Sequence, residues 1–211
     1  EGTVKALDAY FMVGAEHSFN ASTFTARVIV STRSDLASAV AGAIGTMKGP
    51  LHGGAPSEVV DQLSQIGSVE HAEAWLNDAL DRKERLMGFG HRVYRAYDPR
   101  AAVLRDTCQR LGAPRYEVAL ELEKAAIAEL AERYPERRME TNVDYWAAVL
   151  LDFADVPGTM MTPLFAAART AGWSAHVLEQ KRTGRLIRPS ARYVGPGPRP
   201  LEDVAGFDPA R

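Results

Sequence analysis

Gly88-Phe-Gly-His-Arg-Val-Tyr-Arg-Ala-Tyr-Asp-Pro-Arg100 is the stretch of this sequence that decides its fold. Its last three residues predict a helix start, because an aspartate accepts hydrogen bonds from free backbone N–H groups and a proline fits the first helical position. The predicted helix runs over residues 101–111. The two glycines before His91 allow a ligand to approach the backbone closely. The stretch therefore predicts a ligand-binding loop that leads into a helix.

Helix signals continue in both directions from this stretch. The apolar residues between Leu36 and Met47 repeat with helical spacing, and prolines and glycines mark starts and ends elsewhere. Two further helices are predicted to start at the caps Asn20 and Ser34. Three more are predicted from Pro56 to Gly67, from Ser68 to Leu80 and from Pro114 to Pro135. The last two are predicted over 142–153 and 163–180. After Gly184 an Arg-rich, strand-like stretch leads into an extended tail. The predicted fold class is all-α.

Composition limits the kinds of ligand. The 211 residues suffice for one large or two small domains, and no apolar run is long enough to span a bilayer. The net charge of -2 argues against wholesale binding of nucleic acid, whereas a chain rich in arginine suits small acidic ligands. Cys108 is the only cysteine, so no internal disulfide can form, and we expect a packed thiol in a reducing cytoplasm.

Three histidines lie beside glycines or a helix cap: His17, His52 and His91. In such loops an imidazole and backbone N–H groups can converge on an anionic or polarised oxygen. Each histidine taken alone is equally compatible with a capping or hydrogen-bonding role, and we assign His71 and His176 to that role.

Two other kinds of site fit the sequence less well. A zinc site is disfavoured because the histidines are far apart and no His-x-x-x-His or Cys-x-x-Cys pair occurs. A serine or cysteine nucleophile is disfavoured because Gly-x-Ser-x-Gly is absent and Cys108 lies within a predicted helix. We expect neither a metal nor a covalent intermediate.

The motifs taken together, in their order, resemble the citrate synthase family. The segments that carry the resemblance are 16–24 (Glu-His-Ser-Phe-Asn-Ala-Ser-Thr-Phe), 49–55 (Gly-Pro-Leu-His-Gly-Gly-Ala), 88–100, 142–144 (Asn-Val-Asp), and Arg169 before Gly172-Trp173. The resemblance extends from the first residues to about residue 195. The first half of the family's sequence has no counterpart here, so we expect the chain to be the C-terminal part of such an enzyme, and to need that half for folding and activity.

The resemblance implies an all-helical homodimer whose large and small domains close over the substrates. Residues 1–53 and 156–211 are then part of the large domain, and 54–155 form the small domain. The implied substrates are oxaloacetate and acetyl-CoA, with no cofactor beyond the coenzyme A thioester. The implied oxaloacetate ligands are His17, His91, Arg100, Arg169 and an Arg188 contributed to the partner's site; the implied coenzyme A ligands are Gly88, Phe89, Gly90 and Arg95.

The resemblance also assigns the catalytic roles to His52, His91 and Asp144. The acetyl methyl group is a weak carbon acid, so its deprotonation by Asp144 needs a donor to the enolate oxygen, which His52 can supply. His91 would polarise the keto group of oxaloacetate. Seen alone, Asp144 fits an ordinary helix-start charge, and the arginines fit surface ion pairs.

Two other functions stay open at this point. A 2-methylcitrate synthase uses propionyl-CoA with the same polar groups, and one methylene is worth only about 1–3 kcal/mol of discrimination. A non-catalytic subunit of the same fold is the alternative from a different functional class.

Overall fold

The computed structural model describes residues 1–49, 51–90, 97–204 and 206. Within these ranges the chain is built from helices and contains no strand. The α-helices are α1 (Gly2–Gly14), α2 (Ala21–Ser31), α3 (Leu36–Met47), α4 (Ala55–Ile66), α5 (Ala72–Asp81), α6 (Pro99–Leu111), α7 (Tyr116–Arg133), α8 (Val143–Phe153) and α9 (Gly158–Thr183). Short 3-10 helices span Val69–His71 and Leu201–Asp203. The predicted all-α fold is confirmed.

Side-chain caps explain where three helices start. Asn20 Oδ1 accepts a hydrogen bond from the backbone N–H of Thr23 at 3.1 Å. Asp98 caps α6 and Asn142 caps α8 in a similar way, each accepting from a backbone N–H two residues later at 3.0 Å. Each cap satisfies a backbone donor that the helix itself leaves unpaired. The helix starts predicted at these three positions are confirmed.

Two predicted caps are wrong. Asp35, and not Ser34, caps α3, because its carboxylate accepts from the backbone N–H of Ser38 at 2.8 Å. Ser68 does not cap α5, since its hydroxyl lies 3.3 Å from the His71 ring and a 3-10 turn precedes the helix. A neighbouring residue thus caps α3, whereas α5 follows directly from a 3-10 turn and has no side-chain cap.

Other helix limits also differ from the prediction. The helix α7 starts at Tyr116, two residues beyond the predicted Pro114. The helix α9 starts at Gly158 and includes Pro163, where the proline costs a single backbone hydrogen bond in the second turn. The helix α1 was not predicted, because Gly2 and Gly14 bound it without a capping side chain at its start.

The helix α8 lies at the centre of the core. Tyr145 through Leu151 are all buried, so this helix is enclosed on every face instead of presenting one polar side. It packs against α1, α4 and α6, while α9 packs against α1, α2, α3 and α4. The starts of α6 and α8, the end of α1 and the middle of α9 therefore lie close together.

The polar side chains buried between α7 and α8 are paired. The buried Glu123 carboxylate accepts from Trp146 Nε1 at 2.9 Å and from the Thr141 hydroxyl, and the Tyr145 hydroxyl donates to the carbonyl of Ala119 at 2.7 Å. A buried carboxylate without such donors would cost several kcal/mol. These bonds fix the position of α8 relative to α7.

The segment after α9 is extended and mostly exposed. Its beginning is attached to the helices, since Gln180 Nε2 donates to the carbonyl of Arg185 at 2.9 Å and the N–H of Ile187 donates to the Ser31 hydroxyl at 3.1 Å. In the described part of the chain, no helix has the length and apolar character needed to cross a membrane. The division into 1–53 with 156–211, and 54–155, stays a prediction.

Candidate functional site

The starts of α6 and α8 are joined by one carboxylate, that of Asp98. It accepts from the Arg100 backbone N–H at 3.0 Å, from Arg100 Nε at 3.0 Å and from Arg100 Nη2 at 2.8 Å. It also accepts from the backbone N–H of Val143 at 3.0 Å. Asp98 is 1% exposed, so burial tends to raise its pKa, but the hydrogen bonds and charge of Arg100 hold that pKa below its ordinary value. The carboxylate thus stays charged and sets Arg100 next to the first turn of α8.

Asp144 lies in that first turn, directly after Val143. Burial raises the pKa of the Asp144 carboxyl from 3.8 to about 6; the charge of Arg100 opposes the rise, that of Asp98 adds to it, and that of Arg169 opposes it. A carboxyl group with such a pKa can take up a proton near neutral pH. Asp144 therefore has the properties of a general base that feels the charges of two guanidinium groups.

The loop that precedes α6 is held by the segment that precedes α8. The N–H of Asn142 donates to the carbonyl of Gly88 at 2.9 Å, the N–H of Gly90 donates to Glu140 at 2.8 Å, and Asn142 Nδ2 donates to the carbonyl of Gly90 at 2.9 Å. Gly88 has φ +86°, and a Cβ there would lie 2.9 Å from the Tyr145 side chain. Only glycine fits this position without strain.

Gln62 of α4 holds the same loop from the other side. Its Oε1 accepts from the N–H of Met87 at 3.0 Å, and its Nε2 donates to the Met87 carbonyl at 3.4 Å. The loop over 87–90 is thus fixed through its backbone, by α4 on one side and by the segment before α8 on the other.

His52 lies in the loop between α3 and α4. The N–H of His52 donates to the carbonyl of Gly49 at 2.9 Å, and Thr162 of α9 donates to the carbonyl of Gly53 at 2.9 Å. Burial and then the charge of Arg169 lower the pKa of the His52 imidazole. The ring is therefore neutral at physiological pH.

The Ser22 hydroxyl orients the His52 ring. Its oxygen accepts from Trp173 Nε1 at 3.1 Å and lies 2.9 Å from His52 Nε2, and the hydroxyl donates to Asn20 Oδ1 at 2.8 Å. Asn20 Oδ1 can only accept, so the single hydroxyl hydrogen points to Asn20. A neutral His52 ring then carries its hydrogen on Nε2 and donates it to Ser22.

Arg169 is the most enclosed cation of the site, with 1% of its surface exposed. Its Nε donates to the carbonyl of Gly14 at 2.7 Å, and its guanidinium lies over the Phe165 ring at 4.9 Å from the centroid. Burial and the charge of Arg100 lower its pKa to about 10. A further anion between Arg169 and Arg100 would relieve the repulsion between the two cations.

His17 lies in the loop between α1 and α2. Asn20 Nδ2 donates to the carbonyl of His17 at 3.1 Å, and Ser18 has φ +52°, which turns the chain sharply before the Asn20 cap. The residues just before His17 are bound to α9, since Arg169 bonds to Gly14 and the N–H of Gly172 donates to the carbonyl of Ala15 at 3.0 Å. The loop with His17 thus lies against the same helix as Arg169.

The structure brings several of the predicted site residues together. Charges of Arg100 and Arg169 both act on Asp144, and the charge of Arg169 acts on His52. Arg188 is exposed on the extended segment, and no described contact joins it to this group. His91 and Arg95 lie outside the described residues. Gly88, Phe89 and Gly90 form the loop described above.

Three residues of the site were not predicted. Ser22, Asp98 as the carboxylate that holds Arg100, and Tyr10 were missed. Tyr10 is buried on α1, and burial together with the charge of Asp144 raises its pKa, so its ring lies near the carboxyl group. The spacing Asp98-Pro-Arg100 could have indicated the side-chain pair, but Ser22 and Tyr10 reach the site through contacts that no local pattern reveals.

The arrangement can perform acid–base chemistry next to a bound anion. It offers a carboxyl group with a pKa of about 6, a neutral imidazole, and two cations that face the carboxyl group. A base and a hydrogen-bond donor placed together are suited to moving a proton next to a carbonyl group.

Known proteins with this sequence pattern and fold point to one family. Residues 1–190 match the family model described as citrate synthase, C-terminal domain. A protein of Mycobacterium tuberculosis strain H37Rv, provisionally named citrate synthase 2, is 60% identical over 205 residues, which cover 97% of this chain and 55% of that protein. The 2-methylcitrate synthase of Shewanella oneidensis is 41% identical over 201 residues, which cover 95% of this chain and 53% of that protein.

A solved structure agrees with these matches. The citrate synthase of Thermoplasma acidophilum, in a ternary complex with carboxymethyl coenzyme A and oxaloacetate, superposes with a TM-score of 0.83 at 36% identity, over 95% of this chain and 54% of that one. The chain spans about half the length of the relatives it matches.

Proposed function

Since this chain belongs to the citrate synthase family, we propose that it carries the catalytic groups of an acyltransferase that joins acetyl-CoA to oxaloacetate. The overall reaction consumes acetyl-CoA, oxaloacetate and water and releases citrate and coenzyme A. The observation that carries the proposal is the Asp144 carboxyl group, whose pKa burial raises to about 6 beside Arg100 and Arg169. A base of this strength, with two cations and a neutral His52 that also feels the charge of Arg169, suits the formation of an enol next to a dianion.

In the proposed first step, Asp144 removes a proton from the acetyl methyl group of the thioester. The electron pair of the broken C–H bond forms a C=C bond, and the thioester oxygen gains negative charge. We propose that the hydrogen of the Ser22 hydroxyl turns from Asn20 to His52 Nε2 when the substrates bind, so that Nδ1 carries the ring hydrogen and donates it to this oxygen. A neutral imidazole suits this role, because an enol oxygen is stabilised by a donor of similar acidity.

In the proposed second step, the enol carbon attacks the keto carbon of oxaloacetate and a C–C bond forms. The keto oxygen takes up a proton and becomes the hydroxyl group of citryl-CoA. By resemblance to the family, His91 donates to this oxygen, although His91 lies outside the described residues. Water then cleaves the thioester, giving citrate and the free thiol of coenzyme A.

We place oxaloacetate between α6, α9 and the His17 loop. The charges of Arg100 and Arg169 both act on Asp144, and guanidinium groups hold carboxylates through strong charge-assisted bonds. The loop that carries His17 is bonded to α9, the helix that carries Arg169, and His17 would contact a second oxygen of the ligand. The proposed coenzyme A ligands are the backbone of Gly88, Phe89 and Gly90, together with Arg95.

The proposed assembly is a cytoplasmic homodimer in which Arg188 reaches the partner's site. The extended segment that carries Arg188 supports this, because it leaves the helices after Ile187 and is exposed along most of its length. We propose no cofactor beyond the coenzyme A thioester.

A 2-methylcitrate synthase is the second candidate, supported by the relative of that name in Shewanella oneidensis. The test of both functions is the release of thiol by the full-length protein from oxaloacetate with acetyl-CoA or propionyl-CoA. A higher kcat/KM with acetyl-CoA supports the first proposal, and the reverse order supports the second. Absence of thiol release with both substrates would instead favour the non-catalytic subunit.

A further inference from the structure

The loop with His17 is bound to α9 at three successive turns. Arg169 Nε donates to the carbonyl of Gly14, and the N–H of Gly172 donates to the carbonyl of Ala15. At the third turn the His176 ring bonds through Nε2 to the Glu16 carboxylate at 2.9 Å. The first two bonds use backbone carbonyls, whereas the third depends on two side chains.

The chemistry of its neighbours determines the tautomer of His176. Arg27 Nη1 lies 2.9 Å from His176 Nδ1, and a guanidinium group can only donate, so Nδ1 accepts. In the neutral ring the hydrogen is then on Nε2 and is donated to Glu16. The ring is thus oriented from one side and holds a carboxylate on the other.

Arg27 is itself fixed. It is 8% exposed, its Nε donates to Gln180 Oε1 at 3.1 Å, and its Nη1 forms an ion pair with Glu179. The His176 ring is therefore oriented by Arg27, whose bonds link α2 to α9.

Arg27 and His176 also contact the other side of the His17 loop. The Phe19 ring lies under the Arg27 guanidinium at 4.7 Å and meets the His176 ring edge-on at 5.5 Å between centroids. In the sequence, Glu16 and Phe19 lie on either side of the pair His17-Ser18. Ser18 has a positive φ, which is unfavourable for a residue with a side chain. Both ends of this strained turn contact one imidazole.

We propose that His176 is a positioning residue: by holding Glu16 and Phe19 it fixes the turn that presents His17 to the substrate. The inference rests on the proposed function, in which His17 binds oxaloacetate. The charge state of Glu16 agrees with this positioning role. Burial tends to raise the pKa of the Glu16 carboxyl, but the hydrogen bond from His176 holds that pKa below its ordinary value, so the carboxylate stays charged.

The test compares oxaloacetate binding with acyl-CoA use in the full-length protein. His176→Ala removes the donor to Glu16, and we expect about tenfold weaker binding of oxaloacetate, as is typical when the group that orients a ligand-binding residue is lost. The KM for acyl-CoA should stay unchanged. His176→Gln should restore most of the affinity, since its amide offers an acceptor for Arg27 and a donor for Glu16.

The matched control is His71→Ala, which removes an exposed histidine whose ring contacts only the neighbouring turn through Ser68 Oγ among the bonds described. It should bind oxaloacetate like the wild type. Glu16→Ala removes the other partner of the bond between His176 and Glu16. This variant tests the positioning role if His176→Ala does not fold. Thermal melts show which variants are folded.

The outcomes separate the two proposals. Unchanged oxaloacetate affinity in folded His176→Ala or Glu16→Ala, or equal weakening for both substrates, overturns the positioning role alone. A wild-type protein that does not bind oxaloacetate overturns the proposed function and this inference together.

Discussion

Asp98 holds Arg100 through three hydrogen bonds, one from the backbone N–H and two from the guanidinium group. Because the two residues lie two positions apart at a helix start, one carboxylate acts both as the cap of α6 and as the counter-ion of a proposed substrate ligand. The fourth bond, from Val143, transmits the same position to α8. The geometry of the proposed oxaloacetate site thus depends on a residue that need not contact oxaloacetate.

We predict that Asp98→Asn destabilises the full-length protein by about 3 kcal/mol, because it leaves a largely buried guanidinium group without its charged partner. The pKa of Asp98 is lowered by folding, so its contribution is present above the ordinary pKa of the group and is lost as the pH falls through the lower folded value. Urea unfolding at neutral pH measures the change. Asp78→Asn, in the exposed pair with Arg82, is the control and should change stability by less than about 1 kcal/mol.

Asp144→Asn should abolish condensation and leave oxaloacetate binding nearly intact, since the proposed role of the carboxylate is to deprotonate the acyl-CoA. The same change should stabilise the protein at pH 8 by up to about 3 kcal/mol, because folding raises the pKa of Asp144 from 3.8 to about 6. The sign follows from proton binding: the folded state holds this proton more tightly, so the wild type gains relative stability as the pH falls from 6 to 4. The difference between the two proteins should therefore shrink over that range in thermal melts. Full turnover by the variant would refute the proposed base.

His52→Ala should slow enolisation by about 10²- to 10³-fold, the usual effect of losing one donor to a developing oxyanion. The exchange of acetyl methyl protons with deuterated water, followed by NMR in the presence of oxaloacetate, measures this step directly. Exchange at the wild-type rate would show that His52 does not contact the thioester oxygen.

Gly88→Ala should impair the loop over 87–90, because the residue has a positive φ and a Cβ would lie 2.9 Å from Tyr145. We expect a loss of at least about 1 kcal/mol of stability together with a raised KM for acyl-CoA. Gly45→Ala in α3 is the control, since a Cβ there meets no atom within 4 Å and alanine favours the helix by about 1 kcal/mol. Equal effects of the two substitutions would contradict the role of the turn.

Hybrid dimers test the proposed position of Arg188. Asp144→Ala and Arg188→Ala should each be nearly inactive as homodimers of the full-length protein. Refolding them together at equal concentrations should give about half the dimers as hybrids with one intact site each, and about a quarter of wild-type activity. Hybrids that are seen by native mass spectrometry but show no activity would place Arg188 in its own subunit's site or outside the site.

Local chemistry explains which parts of the fold could be predicted. The helix starts at Asn20, Asp98 and Asn142 were predictable because a capping side chain acts on backbone two or three residues away. The start of α3 was missed by one residue, because Ser34 and Asp35 are both good caps and only the fold decides between them. Pro163 predicts a helix start by its chemistry alone, although α9 continues on both sides of it.

The site was predictable in its residue types but not in its supports. The glycine-flanked histidines and Asp144 carry a recognisable pattern, and their roles as implied by the resemblance stay predictions. Ser22 contacts Trp173 and His52 across 151 and 30 residues of sequence. Tyr10 and Gln62 likewise act at a distance along the chain. Periodicity and capping describe neighbours in sequence, so they cannot reveal such contacts.

The attachment of the His17 loop to α9 also has a consequence for biosynthesis. The bonds from Arg169 to Gly14 and from His176 to Glu16 join residues 155 and 160 positions apart. Ribosomes add about 5–20 residues per second, so the His17 turn waits roughly 10–30 seconds for its anchor while α2 and α3, which are adjacent in sequence, can already pair. During this interval the turn at Ser18 lacks its bonds to α9, and contacts of such long range form late in folding. We therefore expect the His17 turn to become ordered only after α9 has been synthesised.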